Sequence, residues 1–534
     1  VVLPFDNMSK DPEQDYFSNG ITEVLTSDLS RIASLFVIAR NTAFTCKGKA
    51  VNMQDLGKEL GVHYVLEGSV QKANDQVRIV TQLIDTTTGS HLWAERYDRP
   101  YKDIFAIQDE IVRKIVTTLK LQLTLQTQAW YFVRKTTDNL EAYDYLLRGM
   151  EYYYRLTKED NLQARRVFEK AVALDSQFAE AYARLGLTYY LESVWRWGPD
   201  VQTLEQGLAM AQRAVALDDS LPVAHAIFGS IYAAKKQSEQ ALAASERAIA
   251  LDPNSDESYA RRAEVLNSLG RPEEALQSAQ QVLRLNPLSP GSTLASLGGA
   301  YYGMGNYTEA ISPLKTLIVR RPNFLMAYIF LSASYTLQWA AQQSSDPQTL
   351  TLAMEAAQRA VAMNTAYPDA HSVLGASYLH QRQYKQAITE MKQAVAADPS
   401  YAMTYANLAL ALSYAGNSDE AVRVAEEALR YKPVVPDQHL FPVGMAYYFA
   451  GKHEEAIAPL QQYLRRYPHW LIAQVPLAAA YSELGKDTDA QAAAAEVLRI
   501  NPNFSLAVHK EREPIKDPAT LERHIAALRK AGLK

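Results

Sequence analysis

Cysteine is almost missing from this chain: 534 residues contain one, Cys46. No intramolecular disulfide can form, and thiolate-rich zinc modules are excluded. An excess of positive charge is missing as well. Lys and Arg number 54 against 59 Asp and Glu, a net charge of -5, which removes the broad attraction to phosphate that nucleic-acid binding depends on. No apolar run approaches the roughly 20 residues that a membrane-spanning helix needs, and no basic start leads into an apolar signal segment. The compartment stays open on these grounds. The chain starts at Val1 without an initiator Met, and we expect it to be part of a longer one, with a membrane span or catalytic domain possible upstream.

The motifs of catalysis are also missing. Gly48-Lys49 and Gly57-Lys58 lack the upstream glycine and the following hydroxyl of a phosphate loop. His453-Glu454-Glu455 lacks the second histidine of a zinc protease, and the ten histidines are scattered without ligand spacing. No Gly-x-Ser-x-Gly elbow occurs. Glu67-Gly68-Ser69 lies inside a strand-like run and reads as structural, Cys46 reads as a bystander thiol, and alternation along His91 to Ala94 suggests a buried His91–Trp93 pair. The expectation is a chain that is not an enzyme, with no cofactor and no metal.

What is present is a repeat. From about residue 140, apolar-periodic helical segments end in one recurring phrase, as in Leu251-Asp252-Pro253, Leu285-Asn286-Pro287, Ala397-Asp398-Pro399 and Ile500-Asn501-Pro502. Ten endings fall at 175, 218, 252, 286, 321, 364, 398, 432, 467 and 501, in steps of 43, 34, 34, 35, 43, 34, 34, 35 and 34. This is the tetratricopeptide period. Within residues 368–399, Leu374-Gly375, Tyr378, Ala387, Met391 and Ala394 place small residues where two helices cross and bulky ones between them. Gly270, Gly305, Gly416, Gly451 and Gly485 fall at the turn inside a repeat, where a positive φ suits glycine. The step list repeats after 146 residues, which sets Ala211-Gln212-Arg213-Ala214-Val215-Ala216 on Ala357-Gln358-Arg359-Ala360-Val361-Ala362. A block of four repeats was duplicated, and each copy has one repeat enlarged by nine residues, around Trp195 to Gln206 and Trp339 to Leu350.

In a solenoid of this kind the first helix of each repeat lines the concave face. The positions free to meet a partner are Glu257, Ala260, Glu264 and Asn267 in one repeat, Asp369, Ser372, Ala376 and Leu379 in another, and Met403, Ala406, Leu410 and Tyr414 in the next. Tyr302, Tyr448 and Phe449 fall on the same side. Small, apolar and aromatic residues with few Lys or Arg suit an extended or helical peptide, so the expected partner is a protein or peptide. Copies of the chain stacking into oligomers or filaments are the alternative.

Residues 1 to about 127 have another period. Strand-like runs at Val1–Phe5, Leu35–Ala39, His63–Lys72, Val77–Asp85 and His91–Tyr97 alternate with helical spacing at Tyr16–Arg31, a short helix capped by Asn52 and ending at Leu60, and a last helix from Asp103 to Leu125. The order βαβαβββα predicts an α/β domain over 1–127. A linker at 128–139, an all-α solenoid of ten repeats at 140–503 and a C-terminal capping segment at 504–534, with a helix at Pro518–Lys530, complete the chain.

Leu3-Pro4-Phe5-Asp6-Asn7-Met8-Ser9, Tyr16-Phe17-Ser18-Asn19-Gly20-Ile21, Tyr64-Val65-Leu66-Glu67-Gly68-Ser69-Val70 and His91-Leu92-Trp93-Ala94-Glu95-Arg96-Tyr97-Asp98 resemble the TolB-like N-terminal domain over the whole of 1–127. Lys516-Asp517-Pro518 and Leu528 to Leu533 look like the tail of the same proteins. The resemblance implies a bacterial signalling protein in which this domain sits between a class III adenylate/guanylate cyclase domain, or a winged-helix regulator, and tetratricopeptide repeats. Asn19 stands where that family usually has Asp, Cys46 where an aromatic is usual and Gln71 where a basic residue is usual.

Overall fold

The computed structural model describes residues 1–9, 11–49, 51–119, 137–195, 197, 202–287, 291–431 and 437–534. They form two compact units, one of residues 1–265 and 277–293, the other of 266–276 and 294–534. The extension of the last N-terminal helix to Leu125, most of the linker 128–139 and the phrase Lys432-Pro433 that closes one repeat lie outside the described residues.

The first unit opens with a four-stranded sheet in the order β1-β2-β3-β4. β2 (Tyr64–Ala73), β3 (Gln76–Asp85) and β4 (His91–Pro100) are antiparallel, and β1 (Asp6–Asn7) lies parallel to β2. The Val1–Phe5 run does follow β2, with Leu3 N–H donating to Leu66 O at 2.8 Å, but regular pairing lapses at Phe5. There the backbone N–H turns to Thr22 Oγ1 at 2.9 Å and the ring lies on Gly68, where a Cβ would come within 2.6 Å of the ring and 2.3 Å of the Val80 carbonyl oxygen. Gly68 is thus a packing requirement, in keeping with a structural Glu67-Gly68-Ser69. Helices α1 (Asp15–Ser30), α2 (Arg40–Ala43), α3 (Met53–Leu60) and α4 (Ile104–Thr118) complete this part. Asn52 caps α3, its Oδ1 accepting from Gln54 N–H at 2.9 Å and Asp55 N–H at 3.2 Å.

Two local expectations fail. Leu35–Ala39 forms no strand: Val37 and Ile38 are buried, but Ala39 N–H donates to Leu285 O at 2.9 Å, in a repeat helix and not in the sheet. Periodicity cannot separate a buried strand from a buried extended connection. His91 is exposed and Trp93 half-buried, with Trp93 Nε1–H donating to Glu95 at 2.9 Å, so no buried His–Trp pair forms. Tyr97 is the residue of β4 that enters the core.

Among the described residues ten helix pairs follow, from Leu140–Tyr153 with Lys158–Leu174 to Leu471–Glu483 with Asp487–Ile500. The enlarged repeats lengthen their first helices, Ala179–Val194 and Leu325–Ala340, to 16 residues where neighbours such as Pro222–Ala234 have 13. The predicted small residues do close helix crossings: Ala387 and Ala394 are fully buried, and a Cβ on Gly375 would lie 3.1 Å from the Ala387 carbonyl oxygen. Turn glycines such as Gly270 and Gly416 take φ of +65° and +83°. At the same turns Lys236, Gln342 and Arg382 adopt φ near +60° without being glycine.

The C-terminal segment does more than cover the last repeat. Helix Pro518–Lys530, capped by Asp517, buries Ile525 and Leu528 with Leu477 of Leu471–Glu483 in one core. Before it, the chain runs back across earlier repeats of the same unit. Ser505 exchanges backbone bonds with the Gln342 side chain at 2.9 and 3.0 Å. Arg512 donates to the carbonyls of Trp339 and Ser344, both at 2.8 Å, and Arg382 to those of Glu511 and Glu513 at 2.8 and 3.1 Å.

Candidate partner-binding groove

In the first unit the concave positions are occupied by the chain itself. α1 lies against the first helices of the first two repeats, where Phe17, Ile21 and Leu25 share a core with Tyr143, Leu147 and Leu185. The approach is close: a Cβ on Gly20 would come within 2.6 Å of Leu147. Polar groups are matched along this contact. Tyr16 OH donates to Asp144 at 3.0 Å, Asn19 Nδ2 to Glu151 at 3.2 Å and Tyr154 OH to Glu23 at 2.5 Å. Lys47 Nζ donates to Asn19 Oδ1 at 3.0 Å, so the amide at 19 bridges a cation and an acid, where an Asp would set a second carboxylate beside Glu151. Arg40 pairs with Glu23 at 3.4 Å and stacks between Phe44 and Tyr154, 3.8 and 4.0 Å from the ring centres.

The repeat-ending phrase is also used here. Ser30 OH donates to Asp252 at 2.7 Å and Thr42 OH to Asn286 at 2.6 Å, while Asn286 Nδ2 donates to Asp256 at 2.7 Å. Burial lifts both Asp252 and Asp256 to about 6. Glu257 is held by Arg184 at 3.0 Å and Glu264 by Arg261 at 3.0 Å. Burial works against the charge on each arginine, and the facing carboxylates outweigh it. Ala260 is half-buried beside them.

The second unit has an open groove of about 190 Å³. First helices of six consecutive repeats supply its walls, from Tyr302 of Gly291–Gly303 to Val475 of Leu471–Glu483. Of the expected partner residues it brings together Tyr302, Ser372, Ala376, Leu379, Met403, Leu410 and Tyr414. Trp470 stands at one side, its Nε1–H donating to Gly303 O at 2.8 Å and its ring set edge-on to Tyr302 at 5.6 Å. The remaining expected residues are placed elsewhere. Ala406 is fully buried between helices, Asp369 is half-buried, and Asn267 donates its amide to Ser296 O at 2.9 Å. Tyr448 and Phe449, 1% and 6% exposed, are covered by the C-terminal helix and offer no surface to a partner. Helix periodicity assigns them to the concave face, and a covering segment remote in sequence has no periodic signature.

The C-terminal segment supplies the polar end of the groove. Tyr448 OH and His524 Nδ1 lie 2.8 Å apart, His524 Nε2 and His509 Nε2 3.1 Å, and His509 Nδ1 is 3.6 Å from Glu513, which also accepts from Tyr414 OH at 2.7 Å. Burial lowers His509, and burial with the neighbouring His509 and Arg523 holds His524 well below the usual imidazole range. Two neutral imidazoles with one proton between them satisfy this chain of bonds. Among the described residues no three His, Cys, Asp or Glu side chains converge as metal ligands.

Family models for the tetratricopeptide repeat match residues 224–255, 244–277, 350–402 and 407–469, so the chain carries tetratricopeptide repeats in both units. Over 226 residues, 42% of this chain, it is 45% identical to "Putative adenylate cyclase 3" of Rhizobium meliloti (strain 1021). It spans 38% of that relative's length. Among solved structures it is similar to a thermophilic tetratricopeptide protein of Thermus thermophilus, with 24% identity, 37% of this chain and 98% of the other covered, and a TM-score of 0.32. A tetratricopeptide repeat protein of Parabacteroides merdae ATCC 43184 matches with 15% identity, 51% and 100% coverage and a TM-score of 0.35.

Proposed function

We propose that this chain is the interaction and regulatory part of a bacterial signalling protein, in which a TolB-like domain is fixed to the first repeats and the later repeats receive a peptide segment of a protein partner. It performs no catalysis itself. The observation that carries this reading is the open apolar groove of the second unit, built from the first helices of six consecutive repeats. The α/β arrangement of the N-terminal strands and helices supports the TolB-like resemblance. The likeness to a relative named for adenylate cyclase supports a place beside a cyclase domain, where catalysis would reside.

A photoreactive amino acid at Leu410, on the groove wall, tests the reading in the host cell. A discrete adduct with a second protein is expected, and it should vanish when Met403→Glu is added. An adduct only with another copy of this chain would favour self-assembly, and an adduct that Met403→Glu leaves unchanged would overturn the groove assignment.

A further inference from the structure

The groove of the second unit is largely apolar, but one acid at its end has no cation. Glu513 lines the cavity with its side chain 14% exposed. Tyr414 OH serves one oxygen at 2.7 Å and His509, which burial keeps neutral, approaches the other at 3.6 Å. Among the described residues no Lys or Arg nitrogen pairs with this carboxylate. Arg382 is engaged by the backbone carbonyls of Glu511 and Glu513, and Arg512 by those of Trp339 and Ser344. A carboxylate withdrawn from water without a counter-ion is costly.

The first unit shows how the same chain treats acids in this setting. Glu23 meets Arg40 at 3.4 Å, Glu257 meets Arg184 at 3.0 Å and Glu264 meets Arg261 at 3.0 Å. Shifted by 146, the places of Arg184 and Arg261 fall on Phe330 and Asn407, so the second copy lacks the arginines. Thr336 and Ser372 also line the cavity, and among the described residues their buried hydroxyl oxygens have no partner.

We infer that the groove takes an apolar peptide segment carrying one Lys or Arg, whose cation pairs with Glu513. This rests on the groove reading above and adds the charge of the occupant. Recognition then has two parts, apolar burial for affinity and one buried ion pair for register and selectivity.

The test uses the whole chain loaded with N-phenyl-1-naphthylamine, a neutral dye that fluoresces in apolar surroundings. Three peptides, acetyl-Ser-Leu-Leu-X-Leu-Leu-Ser-amide with X as lysine, norleucine or glutamate, compete for it. The lysine peptide should displace dye at about tenfold lower concentration than the norleucine peptide, with glutamate weakest. In Glu513→Gln, which keeps an acceptor for Tyr414, the lysine advantage should vanish while the norleucine peptide is unchanged. Asn407→Lys, which places a cation in the groove without altering the acid, should abolish it too. Equal potency of lysine and norleucine, or an advantage that survives either substitution, overturns the charge assignment and leaves the groove standing. A dye that does not bind, or that binds equally to Ala376→Phe with the cavity filled, overturns both.

Discussion

The two copies of the duplicated block have one scaffold and opposite interiors. At Arg184, Glu257, Arg261 and Glu264 the first copy is charged, and its charges are paired within the unit. The same positions 146 residues on are Phe330, Met403, Asn407 and Leu410, and Met403, Asn407 and Leu410 line an open cavity. Packing positions such as Ala214 and Ala360 stay small and buried in both. The positions that hold helices together are thus alike in the two copies, while the concave positions differ, charged and paired in one and apolar and open in the other. An interior of matched charge is strict about what it accepts, because any charge left alone is penalised. An apolar interior tolerates several occupants.

The largest effect should come from removing residues 503–534. Phe504, Leu506, Ile515, Ile525 and Leu528 are buried, each contributing roughly 1.5–3 kcal/mol. Hydrogen exchange should rise across the second unit, including the turns at 339–344 and 382 that this segment grips, while the first unit keeps its protection. A rise confined to 471–500 would mean that the segment caps only the last repeat.

Exchanging the two interiors should cost less. Glu257→Met with Glu264→Leu leaves Arg184 and Arg261 buried without these carboxylates, at a cost of roughly 3–5 kcal/mol in urea unfolding of the first unit. Met403→Glu with Leu410→Glu places acids on an open, half-buried wall, and should change stability by about 1 kcal/mol or less while abolishing dye binding. Equal costs in both copies would erase the distinction.

The smallest difference is one of sign with pH. Asp252 and Asp256 titrate near 6 in the folded first unit and near ~3.9 when unfolded. The folded form holds these protons more tightly, so the first unit should gain stability as pH falls from 7.5 to 5.5, by about 1 kcal/mol per carboxyl. In the second unit burial lowers His380, His509 and His524, so the folded form rejects protons that the unfolded chain accepts near ~6.5. That unit should lose stability over the same interval. Urea unfolding read by hydrogen exchange at the two pH values checks both signs, and a shift in the same direction for both units would break the comparison.

Much of this was legible because it is local or periodic. The repeat endings, the small residues at helix crossings, the Asn52 cap and the Pro518–Lys530 helix each depend on spacings of a few residues. Seven of the expected partner positions do line one groove for the same reason. The covering of Tyr448 and Phe449, the pairing of Glu257 with Arg184 and the approach of Glu513 to Tyr414 join residues 70 or more positions apart, and no local pattern encodes such neighbours. One hint was available. Glu257 and Glu264 become Met403 and Leu410 on duplication, and a change from acid to apolar at a concave position signals a change in what that position can face.

Gln342 and Arg382 have one more consequence, for anyone who would redesign this array. They sit in the left-handed conformation at turns where other repeats use glycine, a placement that costs an ordinary residue about 1 kcal/mol or more. A consensus-minded engineer would replace both with glycine and expect a sturdier protein. Each side chain, however, fastens the returning C-terminal segment, so the idealised version would gain at two turns and release the tail. These two deviations from the repeat average are fasteners, and averaging them away would loosen the segment they hold.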